Sequence, residues 1–107
     1  MTKGRVAALA LLAIVAPLSS GAAAARLHVV TIDRMAFGPM PANVRAGDTI
    51  LWVNHDMFQH SATARDQSFD VDLAPGKSAR TVVRKAGLIP FFCKYHPGMK
   101  GAITIAR

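Results

Sequence analysis

From residue 27 onward the apolar and polar positions alternate in short runs separated by turn residues. Leu27, Val29 and Thr31 alternate with His28, Val30 and Ile32 in a stretch rich in β-branched side chains, which predicts a strand; Phe37-Gly38-Pro39-Met40-Pro41 then breaks it as a loop. Ala46-Gly47-Asp48 is a turn signal, and it leads into Thr49-Ile50-Leu51-Trp52-Val53, a nearly continuous apolar run of the kind a buried strand shows. Further strands are predicted over residues 61–64, 79–84, 89–93 and 102–106, with turns at Ala74-Pro75-Gly76-Lys77 and Lys85-Ala86-Gly87. Between 64 and 74, Asp66, Ser68, Asp70 and Asp72 favour loops and caps over helix interiors, so that stretch is predicted to be irregular or weakly extended. Regular short strands with turn punctuation and no helical period predict an all-β sandwich or barrel.

The first 25 residues follow a different pattern. Lys3 and Arg5 precede an apolar run from Val6 to Val15, and only small residues occupy 19–25, the order of a secretory signal peptide. A spanning helix needs about 20 apolar residues, so cleavage after Ala25 is expected rather than anchoring. The expected organisation is a signal peptide over 1–25 and one domain over 26–107, exported to the periplasm with no membrane anchor in the mature form.

Composition changes the picture at one residue above all. The 107 residues contain a single cysteine, Cys93, so no disulfide within the chain is available to hold a domain this small. A lone thiol in an exported protein is reactive, paired with another chain or bound to metal. Without Lys3 and Arg5 the remaining eleven Lys and Arg face six Asp, a balance of +5 with no glutamate. The basic residues are scattered and the chain is exported, which argues against nucleic acid and leaves an acidic protein surface as the expected partner.

Cys93 belongs to Phe92-Cys93-Lys94-Tyr95-His96-Pro97-Gly98-Met99-Lys100-Gly101, which puts a thiolate, an imidazole and a thioether on one short connection between two predicted strands. Thiolate and imidazole with a weak axial thioether is the donor set of a mononuclear copper electron-transfer site, whereas zinc has little use for methionine. A further strong ligand must come from His28, His55 or His60. His28 lies within the first strand; His55 sits beside Asn54 and Asp56 in turn chemistry; His60 opens the next strand-like segment and has the better position. Pro97 keeps His96 out of helical geometry, and Gly98 is expected to leave room for the turn toward Met99.

These residues resemble the cupredoxins, the blue copper proteins, and Cys-x2-His-x2-Met is most similar to their amicyanin-type short ligand loop. The resemblance runs from about Leu27 to Ile105 through Ala46-Gly47-Asp48-Thr49, Trp52-Val53-Asn54, His60-Ser61-Ala62, Ala74-Pro75-Gly76 and Ala86-Gly87. It implies a small Greek-key β-sandwich or barrel, one type 1 copper ion, His60, Cys93, His96 and Met99 as ligands, and a monomer that carries single electrons without being an enzyme. It further implies a redox protein partner, such as a cytochrome or dehydrogenase, docking on an apolar patch at the edge of His96, for which Pro97, Gly98, Met57, Phe58, Met40 and Pro41 are the candidates. Lys94 and Lys100 flank the loop and are expected to steer an acidic docking surface toward it. Ser61 stands where the family pattern often has an asparagine that ties the ligand loops together; its hydroxyl can make one such bond. A copper carrier or storage protein of the same fold is the alternative. An enzyme with Cys93 as nucleophile and His96 or His60 as base lacks any third orienting group in the sequence.

Overall fold

The computed structural model describes residues 24–107 together with Gly4 and Ala13; the expected signal peptide lies almost wholly outside the described residues. Strands β1 (Leu27–Asp33), β2 (Ala36–Phe37), β3 (Val44–Arg45), β4 (Thr49–Asn54) and β5 (His60–Ala64) are followed by β6 (Asp70–Leu73), β7 (Ser78–Val82), β8 (Gly87–Phe92) and β9 (Lys100–Ala106). The described residues contain no helix, as the residue pattern predicts.

One sheet runs β2-β1-β4-β7 and the other β3-β9-β8-β5-β6. The β1–β4 and β3–β9 pairs are parallel and the rest antiparallel, so the chain crosses between sheets instead of meandering. Alternation decides which side chains face inward. Val30 and Ile32 of β1, Ile50 and Trp52 of β4, Ile89 and Phe91 of β8, and Ile103 and Ile105 of β9 are all buried in one core. Phe91 lies at its centre, edge-on to Phe37 at 4.8 Å and to Trp52 at 5.2 Å between centroids. The Trp52 indole N–H, fully buried, donates to Thr81 Oγ1 at 3.0 Å.

Two differences from the sequence expectation, and the place of one proline, have local causes. Asp70 and Asp72 of β6 face solvent while Val71 and Leu73 turn inward, so period-2 burial makes a regular strand at the end of a stretch expected to be irregular or weakly extended. Gly87 opens β8 instead of ending a turn, in a left-handed conformation at φ 122° that few other residues adopt. Pro90 sits inside β8 opposite Arg65, just past the end of β5: its carbonyl accepts from the Arg65 amide at 3.0 Å, but it has no N–H to return the bond, and the β5–β8 pairing stops there.

The parallel β1 and β4 end at the same edge, Ile32 beside Asn54. The turn at 34–35, the connection 55–59 and the connection 93–99 therefore gather at that end of the sandwich.

Candidate metal centre

Cys93 follows the last residue of β8 and His60 is the first residue of β5, the neighbouring strand. Both are fully buried, and His60 Nδ1 faces Cys93 Sγ at 3.7 Å. The connection that carries His96 and Met99 is closed by its own backbone: the Met99 amide donates to the His96 carbonyl at 2.8 Å, and the Cys93 amide to the Met99 carbonyl at 3.0 Å. Pro97 and Gly98 occupy the two middle positions of the resulting four-residue turn, where proline supplies the required φ. Gly98 is not in the left-handed region and a Cβ there would meet nothing within 4 Å, so the expected need for glycine at this position is not met.

The His96 ring is half-buried and stands 5.0 Å from the His60 ring, centroid to centroid, at 62°. Its Nε2 lies 3.2 Å from the Gln59 carbonyl, and His60 Nε2 lies 2.7 Å from Asp56 Oδ2. A carbonyl and an ionised carboxylate only accept, so both rings hold their proton at Nε2 and keep Nδ1 as the lone-pair end. Met99 is buried at the end of the same connection. Among the described residues no three His, Cys, Asp or Glu side chains converge tightly enough to hold an ion by themselves. The pair that does meet is His60 with Cys93; His96 stands beside it, and the fourth candidate donor is a thioether. A thiol facing Nδ1 of one imidazole, with a second imidazole alongside and a buried thioether on the same connection, is a donor set that would suit copper.

Surrounding groups fix this arrangement. The Ser61 amide donates to Cys93 Sγ at 3.3 Å. The Lys94 amide donates to Ser61 Oγ at 2.8 Å, so the serine does tie the two ligand segments together. Thr63 spends its own hydroxyl proton on Asp70 at 2.8 Å, which leaves Ser61 as the donor in the 2.9 Å Ser61–Thr63 bond.

Asp56 is the residue that sequence reasoning missed. Besides contacting His60, it accepts from the Arg34 amide at 2.7 Å and the Met35 amide at 2.9 Å, while its own amide donates to Asn54 Oδ1 at 2.9 Å. The Met35 amide first, then His60 and the Arg34 amide, hold its carboxyl below the usual carboxylate range. Its place four residues before His60 in a short connection was the only signal, and the sequence had it marked as turn chemistry. Asn54 braces the same connection, its amide donating to the Phe58 carbonyl at 2.7 Å and the Leu73 carbonyl at 3.0 Å.

Other candidates fall elsewhere. His28 pairs with Asp48 at 2.8 Å near the start of β1, at the opposite end of the sandwich from the ligand segments. His55 is exposed, its amide donating to the Ile32 carbonyl. Of the apolar patch candidates, Met57 (87 % exposed) and Phe58 (57 %) stand open, and the Phe58 ring lies edge-on to the His96 ring at 6.3 Å. Pro97 and Gly98 are exposed as well. Met40 instead packs against the core and leaves the patch. Lys94 is not a free cation: its ammonium pairs with Asp72 at 3.1 Å and Asp70 at 3.2 Å, which raises its pKa and lowers that of Asp72.

The fold and the site have known relatives. The chain is 34 % identical over 85 residues to a plastocyanin of Scenedesmus fuscus, covering 66 % of this chain and 87 % of that one. It is 25 % identical over 95 residues to the amicyanin of Paracoccus versutus, covering 83 % of this chain and 72 % of that one. The crystal structure of that amicyanin superposes with a TM-score of 0.62 at 24 % identity, over 80 % of this chain and 85 % of the other. A copper-containing nitrite reductase from Thermus scotoductus SA-01 superposes with a TM-score of 0.66 at 26 % identity, but this chain spans only 22 % of it. A family model for the cupredoxin-like domain matches residues 5–105. With the family match running through both sheets and both ligand segments, the chain belongs to the cupredoxin-like family.

Proposed function

We propose that the protein is an exported mononuclear type 1 copper protein that carries single electrons between redox partners, with His60, Cys93, His96 and Met99 as the ligands. The observation that carries this reading is the meeting of His60 Nδ1 and Cys93 Sγ at 3.7 Å, both residues fully buried, with Nε2 of both histidines committed elsewhere. Copper, when bound, supplies the Cu(I)/Cu(II) couple. The chain's own residues do the rest. Cys93 and His60 sit at adjoining strand ends, so neither moves without the sheet, which limits rearrangement between the two oxidation states. The Ser61 amide draws charge from the sulfur and favours the reduced form. His96, half-buried beside Phe58, offers the shortest route from the centre to a partner pressed on that apolar surface.

The partner is a redox protein, a cytochrome or dehydrogenase with an acidic docking surface. With Lys94 held by Asp70 and Asp72, steering rests on Lys100 and on Arg34, both exposed. The protein works in the periplasm as a monomer after removal of residues 1–25, and has no enzymatic turnover of its own. Copper-loaded protein tests the assignment when challenged with a strong chelator and with small redox reagents. Fast reversible oxidation and reduction with slow copper loss is the expected result. Rapid surrender of copper with sluggish electron exchange would instead make it a carrier or store that delivers the metal.

A further inference from the structure

The two-residue link between β1 and β2 is strained. Asp33 pairs with Ala36, so Arg34 and Met35 make the whole turn, and both take left-handed φ, 52° and 61°. Paired left-handed residues give a hairpin turn its proper twist, but that position favours Asn, Asp and Gly, and arginine and methionine take it only under strain. The Arg34 and Met35 amides both end on the Asp56 carboxylate, at 2.7 and 2.9 Å, and the oxygen that takes Met35 also takes His60 Nε2 at 2.7 Å. Asp56 is itself pinned by its amide to Asn54 Oδ1 at 2.9 Å, and the Asn54 side chain is fully buried. One carboxylate thus holds a strained surface turn and the far side of a fully buried imidazole.

We infer that Asp56 is a positioning residue for the metal centre, fixing the tautomer and rotation of His60 through Nε2 while the turn at Arg34 and Met35 fixes Asp56. This rests on the copper reading for its effect on the ion, though not for the tautomer itself. An anionic acceptor on the far nitrogen makes Nδ1 a stronger donor, and its charge favours the more positive oxidation state of a metal bound there. The turn is then part of the centre: whatever loosens the Arg34 and Met35 amides loosens His60.

Two measurements test this. Nitrogen-15 spectra of the metal-free protein at fixed neutral pH should show His60 with its proton on Nε2, and Asp56→Asn should weaken or abolish that preference. In copper-loaded protein, Asp56→Asn should raise the Cu(II) dissociation constant roughly 10- to 100-fold. If Cu(II) loses tenfold more affinity than Cu(I), the midpoint potential rises by about 59 mV. Asp56→Glu, which keeps the charge, should recover part of both. A wild-type His60 protonated on Nδ1 overturns the inference, even if the variants fail to fold; so do unchanged affinity and potential in a folded Asp56→Asn. Absence of a copper–thiolate band in the wild type, with the Nε2 tautomer present, would instead remove the copper reading and leave the clamp.

Discussion

Gly101 lies opposite Phe91 across β8 and β9, and a Cβ there would stand 2.7 Å from the Phe91 ring tip. The ring has nowhere to go, wedged edge-on against Phe37 and Trp52. Gly101→Ala is therefore expected to lose about 1–3 kcal/mol, the usual cost of overpacking, read as a lower denaturant midpoint with an unchanged slope. Thr81→Val keeps the shape but leaves the buried Trp52 N–H without its acceptor. It should cost about 1–3 kcal/mol by the same measurement, and a midpoint within error of wild type would mean that water reaches the indole. At this scale three of the four candidate donors stand out in the sequence because their chemistry is local: thiol, imidazole and thioether within seven residues, residues 93–99. Asp56 was not, since its meaning depends on Arg34 and Met35 arriving from 22 and 21 positions away.

Strands were readable where apolar and polar positions alternate, as in β1, or where an apolar run of strand length follows a turn, as in β4. β6 was obscured because aspartates that belong on its solvent face read as loop formers, although Asp70-Val71-Asp72-Leu73 carries the period of a strand. β2 and β3, two residues each, have no periodicity to read; their pairing with β1 and β9 makes them strands. Asp48 organises the end of the sandwich away from the candidate metal centre, accepting from the Arg26 amide at 3.0 Å, the Arg45 amide at 2.9 Å and His28 Nε2 at 2.8 Å. These bonds, the two amides foremost, lower its pKa from 3.8 to about 2. The folded form therefore binds fewer protons than the unfolded one in that window, so stability rises with pH there. The contribution is fully present above about pH 4 and lost as pH falls toward about 2. The Tm difference between wild type and Asp48→Asn, measured in one metal state throughout, should narrow as pH falls from about 4 toward 2; a difference that grows in that window would contradict the clamp.

Across the whole molecule, the two ends of the sandwich divide the work. One is locked by Asp48, and the other gathers the turn at 34–35 with the connections 55–59 and 93–99 around the donor atoms. The exposed Met57 and Phe58 give that end an apolar face, and Lys100 and Arg34 a positive margin. Electron exchange with an acidic partner should slow as ionic strength rises, and Lys100→Ala should flatten that dependence; a rate indifferent to salt would remove steering from the proposal. The sequence pointed to Lys94 as well, but β6 brings two aspartates to it, a neutralisation that only the sheet order reveals.

The most direct test of the four-ligand centre is to add Cu(II) to the metal-free protein, record visible absorption and electron paramagnetic resonance, and repeat with Cys93→Ser. An intense sulfur-to-copper band at one equivalent, absent from the variant, is the expected result. Copper uptake without that band, or a band that survives loss of the thiol, would contradict the centre proposed here.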